Sequence, residues 1–117
     1  MRLLVVDDDP DVRAALVVAL EGDYDVVTAP DALVVVPLLD RFRFDAVFAA
    51  ADAEGVVGAL RARRHFVPVV IAAERDDAAA IARRVHATGF LKKPYSLAEL
   101  ELKLSVAFGG RYSQLGG

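Results

Sequence analysis

Apolar positions fall along this chain in two alternating patterns. Compact apolar runs predict strands buried on both faces: Arg2 to Val6, Tyr24 to Ala29, Phe44 to Ala50, Val67 to Ala72, and a short fifth from Gly89 to Lys92. Between them, apolar residues recur at helical spacing. Val12, Leu16, Ala19 and Leu20 share one face, with Asp9-Pro10 as N-cap and first helical position and Gly22 as the stop. Asp31 to Asp40 predicts a poor second helix. Its Val34-Val35-Val36 run is β-branched, and Pro37 lacks the N–H of an interior turn, which costs about 3 kcal/mol in mid-helix. A kinked or shortened helix is expected there. Ala51 to Gly55 reads as a loop, followed by a helix from Val56 to Arg64 with Val57 and Leu60 inward and the arginines mostly outward. Asp76 or Asp77 can cap an alanine-rich helix that ends near His86. Ser96-Leu97-Ala98-Glu99 is a capping box heading the last helix, with Leu97, Leu100, Leu104 and Phe108 along one side.

Five strands alternating with five helices imply right-handed crossovers and a parallel sheet covered on both faces, an α/β doubly wound fold. The 117 residues suit one domain. Residues 1–108 carry its patterning, and residues 109–117, after the Gly109-Gly110 stop, read as a tail or the start of a linker. Composition narrows the class further. Hydrophobic residues make up 56% of the chain, too many for a disordered one. No apolar run approaches the roughly 20 residues of a spanning helix, and the run after Met1-Arg2 ends in acids too soon for a signal peptide. A cytoplasmic location is expected. The absence of cysteine excludes a disulfide scaffold and a thiolate metal site. A net charge of −3 argues against direct nucleic-acid binding.

Candidate chemistry centres on Asp7-Asp8-Asp9. Asp7 and Asp8 end a buried strand, where open α/β sheets bind ligands. Crowded carboxylates need a cation or a basic group to offset their repulsion. The stretch reads as a metal or phosphate-chemistry site, although a strand end followed by a capped helix with solvated carboxylates has the same pattern. His65 and His86, among charges at helix ends, read as surface residues.

These pieces together resemble a receiver domain of two-component response regulators, the CheY-like fold. The resemblance rests on Leu3 to Pro10 with Val12-Arg13, Phe44-Asp45, Gly58, Val67 to Ile71, and Gly89-Phe90-Leu91-Lys92-Lys93-Pro94-Tyr95. It implies a flavodoxin-like (βα)5 sheet in the order 2-1-3-4-5. It also implies that two acids after strand 1 and an aspartate ending strand 3 hold Mg²⁺, and that this aspartate takes a phosphoryl group from a phosphohistidine. A lysine after strand 5 pairs with the new charge, and a hydroxyl at the end of strand 4 hydrogen-bonds it. Mg²⁺ suits hard oxygen ligands, and phosphoryl transfer needs charge stabilisation and alignment. Carried over by position, Asp7 and Asp8 match the acidic pair, with Asp8 the direct metal ligand. Lys93 matches the lysine, Pro94 the cis-proline and Phe90 the switch aromatic.

Two positions depart from the family. The phosphoacceptor, five residues after Asp45, is Ala50, which has no nucleophile. The hydroxyl position, five after Pro68, is Ala73. Asp52 is a candidate substitute acceptor, but two residues along a strand is about 6.6 Å. The expected function is therefore an atypical, non-enzymatic receiver that needs no cofactor and acts by protein contacts. Its partner is another protein, an attached output domain, or a second copy through helix 4, strand 5 and helix 5, with Arg83 or Arg84 pairing Glu99 or Glu101. Lys93 is expected to form a buried ion pair with Asp7 or Asp8, whose loss costs 3–5 kcal/mol. The alternatives are regulation through Asp52 or through weakly bound Mg²⁺ alone, and a small haloacid dehalogenase-type phosphatase prompted by the Asp-x-Asp pattern.

Overall fold

The computed structural model describes residues 1–108; the Gly109-Gly110 stop and the expected tail of residues 111–117 lie outside the described residues. Strands and helices alternate without exception: β1 (Arg2–Val6), α1 (Pro10–Leu20), β2 (Asp25–Ala29), α2 (Ala32–Arg41), β3 (Ala46–Ala49), α3 (Ala53–Ala62), β4 (Val69–Glu74), α4 (Ala78–Val85), β5 (Gly89–Lys93) and α5 (Leu97–Phe108). All strand pairs are parallel, and their order is β2-β1-β3-β4-β5. The doubly wound fold and the strand order are those expected.

The pleat of β1 divides the core. Leu3 and Val5 join Phe48, Val70 and Leu91 beneath α1 and α5. Leu4 and Val6 point the other way, into a cluster beneath α2, α3 and α4. All four are 0% exposed, each contributing about 1.5–3 kcal/mol of burial. Two-sided burial is why this strand carries no alternation of polar residues.

Helix ends follow the local signals in most places. The Asp9 carboxylate accepts from Asp11 and Val12 N–H groups, with Pro10 in the first helical position. Asp31 caps α2 through the Val34 N–H. Ser96 and Glu99 exchange the two reciprocal bonds of a capping box at 3.1 and 3.2 Å. Leu97, however, is 43% exposed, so it leaves the buried side formed by Leu100, Leu104 and Phe108.

The expected shortening at Pro37 is absent: α2 runs from Ala32 to Arg41 with Pro37 inside it. The missing N–H would have served the carbonyl of Leu33, one turn earlier. Leu33 is 83% exposed, so water can serve that carbonyl, while Val35 and Leu39 anchor the opposite face. The third helix also starts earlier than expected. Only Ala50, Ala51 and Asp52 separate β3 from α3. Among the described residues no helix is long and apolar enough to cross a membrane.

His65 does more than occupy a surface. Its Nε2 accepts the Phe44 N–H at 3.2 Å, tying the end of α3 to the entry of β3. Within the chain, Arg84 pairs with Glu54 of α3 at 2.8 Å.

Candidate functional site

The C-terminal edge of the sheet gathers Asp7, Asp8 and Asp9 after β1, Glu74 at the end of β4, and Lys93 at the end of β5. They line a cavity of about 660 Å³ whose remaining wall is apolar. The crossover topology places them together, because each residue ends or follows a strand of one parallel sheet.

Asp7 is only 4% exposed. Its Oδ1 accepts the Asp9 N–H at 2.9 Å, and its backbone carbonyl accepts from Arg13 Nη1 at 2.7 Å. The carboxylate thereby shapes the turn from β1 into α1. Asp8 is exposed on the rim. Its side chain makes no hydrogen bond or ion pair among the described residues.

Ala50 prolongs β3 by donating its N–H to the Val6 carbonyl at 2.7 Å, and it is 3% exposed. Ala73 packs against the cluster on the opposite side of the sheet. Phe90 is half-buried against that same cluster. The Lys93–Pro94 peptide bond is cis.

Lys93 does not make the expected ion pair. Its Nζ donates to the Ala50 carbonyl at 2.6 Å, and no carboxylate of a described residue lies within 4.0 Å of it. The reason is geometric. Asp7 is turned into its own loop and Asp8 outward, whereas the carbonyl ending β3 faces the strand end that carries Lys93.

Asp52 is also turned away from the cavity. Its backbone is left-handed, with φ 51° and ψ 40°, a conformation that aspartate tolerates better than most residues. Its Oδ2 accepts the Ala32 N–H at 3.0 Å, at the first position of α2. The carboxylate thus caps a different helix from the one its backbone starts. A Cβ on Gly55 would lie 2.6 Å from Asp52 Oδ1, so any larger residue there would have to displace the carboxylate that caps α2.

Of the lining residues, Glu74 was not singled out from the pattern, and Tyr95 entered only as the last residue of the Gly89–Tyr95 motif. Glu74 adds a carboxylate one position beyond Ala73; reading β4 two residues further would have found it. Tyr95 packs edge-on against Phe48, ring centroids 5.6 Å apart. Burial, and secondarily the Asp7 charge, push its phenol up to about 12.

The donor set does not fit a Mg²⁺ site of the expected kind. Mg²⁺ demands near-octahedral oxygen ligands. No group of three His, Cys, Asp or Glu side chains is placed to hold a metal among the described residues. The third acid position is a methyl group, and Asp52 is bound to α2.

Comparison with known proteins gives a consistent result. Residues 3–105 match the response regulator receiver domain family. The transcriptional regulatory protein PrrA is 36% identical over 121 residues in both Mycobacterium tuberculosis and Mycobacterium bovis, covering 96% of this chain. The chain spans about half the length of these relatives, 52%. The chemotaxis protein CheY4 of Vibrio cholerae shares the fold with a TM-score of 0.77 at 23% identity, covering 91% of this chain and 97% of that one. So does the receiver domain of a sensor histidine kinase from Pseudomonas aeruginosa, solved with a magnesium ion in its active-site cleft. It gives a TM-score of 0.76 at 24% identity, over 92% of this chain and 97% of that one.

Proposed function

The chain belongs to the response regulator receiver domain family, and from that membership we propose that it is an atypical receiver, working by protein contacts without aspartyl phosphorylation. The carrying observation is the Lys93 ammonium on the Ala50 carbonyl at 2.6 Å. A lysine that would otherwise pair with a phosphoryl group rests on the backbone of the acceptor position, and it ties the end of β5 to the end of β3 with no modification required. Phosphoryl transfer to protein needs an activated nucleophile held in line. Ala50 supplies none, Ala73 supplies no hydroxyl, and the Asp52 carboxylate is committed to Ala32. No cofactor is required on this reading, and Mg²⁺ binds weakly at most.

Response regulators pair with output domains or partner proteins. Here the contact would be set by a partner, an output domain or a second copy.

Incubation with acetyl phosphate or beryllofluoride and Mg²⁺, read by intact mass, tests the proposal. The wild-type chain is expected to gain no acyl phosphate, while Ala50→Asp, with its third acid restored, binds Mg²⁺ more tightly than wild type. A stoichiometric adduct on the wild-type chain that disappears in Asp52→Ala would overturn it.

A further inference from the structure

At one end of the sheet arginines flank an exposed aromatic ring, and at the other carboxylates rim a largely apolar cavity. At the N-terminal edge, where β3 and β4 begin, Phe66 is 74% exposed. Around it, Arg43, Arg63 and Arg64 border a cleft of about 280 Å³. Arg43 and Arg64 are exposed and form no ion pair among the described residues. Arg63 reaches Asp40 only at 3.5 Å, near the surface. Arg64 holds a left-handed φ of 56°, which ends α3 and turns the chain into the segment that presents Phe66.

The opposite edge has the matching socket. The cavity of about 660 Å³ has Val12, Leu16, Pro94, Tyr95 and Leu97 as apolar lining. Asp8 and Glu74 stand exposed on its rim, and its one base, Lys93, is held on the Ala50 carbonyl. A cavity of this size is in the range that accepts ligands. Aromatic residues flanked by arginines are the side chains that anchor protein interfaces.

We propose that the chain associates pole to pole with a second copy of itself, Phe66 of one copy seating in the cavity of the next while its flanking arginines meet the acidic rim. Apolar and charge complementarity coincide in the same two patches, and both patches lie on one chain. Because the patches differ, the contact is heterologous and propagates instead of closing about a two-fold axis. It is distinct from a homodimer through α4, β5 and α5. The inference rests on the reading that the cavity performs no phosphoryl chemistry. That reading is tested separately by the mass measurement above, so either can fail alone.

Sedimentation velocity of the 117-residue chain, over a concentration series at low and high salt, is the test. The wild-type chain is expected to form species that grow beyond dimers with concentration and dissociate at high salt. Phe66→Glu alone and the doubly reversed Asp8→Lys, Glu74→Lys chain alone are expected to stay monomeric. Mixed in equal amounts, they form a dimer and nothing larger, since one supplies an intact cavity and the other an intact Phe66. Phe66→Ala, a milder change, weakens association about thirtyfold. All three positions are exposed, and thermal unfolding checks that each variant folds. A wild-type chain that is monomeric throughout, association indifferent to Phe66→Glu, or a mixture that stays monomeric would each overturn the proposal.

Discussion

Replacing Lys93 with methionine removes the ammonium while keeping most of the stem. The structure sets the size of the loss. One charge-assisted hydrogen bond to the Ala50 carbonyl, 2.6 Å long and partly buried, disappears. Hydrogen bonds to charged groups contribute about 1.5–3 kcal/mol, and the partial exposure of Lys93 brings the expected loss to about 1–2 kcal/mol. A buried ion pair broken from one side would cost 3–5 kcal/mol. The two arrangements therefore differ in magnitude, and they differ more sharply in coupling. No described carboxylate lies within 4.0 Å of Lys93, so the coupling between Lys93→Met and Asp8→Asn should fall short of that of a direct ion pair.

Urea unfolding of wild type, both single variants and the double variant gives all four corners of the cycle. A loss in the ion-pair range together with strong Lys93–Asp8 coupling would refute the backbone contact. So would a Lys93→Met chain as stable as wild type, because the bond would then contribute nothing.

Asp52→Ala removes the acceptor for the Ala32 N–H and should cost about 0.5–2 kcal/mol. Gly55→Ala should give no gain in the wild-type chain, because its Cβ would lie 2.6 Å from Asp52 Oδ1; in the Asp52→Ala background it should stabilise by about 0.5–1 kcal/mol through helix propensity, a change that urea unfolding reads directly. Tyr95, half-buried with its phenol pushed up to about 12, favours the protonated form in the fold. Its contribution is fully present below the unfolded value of about 10 and is lost as pH rises through about 12. Allowing for the exposed part of the ring, about 1–2 kcal/mol is at stake. Tyr95→Phe should flatten that stretch of the stability–pH curve, and an unchanged curve would discount the burial effect.

The fold was legible because burial on two faces leaves a simple signature. Leu3 to Val6 and Val69 to Ala72 are apolar without alternation, and short helical patterns between them leave few other arrangements. Helix ends were legible where a side chain caps its own helix, as at Asp9, Asp31 and Ser96. They were not where the cap crosses between elements: Asp52 begins α3 but caps α2, and no local pattern announces that. Pro37 misled for a related reason, since its cost depends on whether the orphaned carbonyl reaches water. The positions of Asp7, Asp8, Lys93 and Ala50 could be counted from motifs. The direction of the Lys93 ammonium could not, because a spacing cannot distinguish a backbone oxygen from a carboxylate a few ångströms away. Glu74 was hidden by a strand end read two residues short.

The three acids after β1 now separate by what each one does. Asp9 caps α1, and Asp7 closes the turn before it through the Asp9 N–H. Neither needs a cation to account for its place, since a carboxylate accepting backbone N–H bonds is stabilised where it sits. Asp8 has no such bond, and Glu74 stands beside it on the rim equally exposed. Exposed like charges around an apolar cavity are held apart by solvent in the free chain and gain when a cationic partner arrives. Structure therefore explains Asp7 and Asp9, and contact explains Asp8 and Glu74. Charge removal at Asp7 should appear as lost stability, whereas at Asp8 it should appear as lost association with the fold intact.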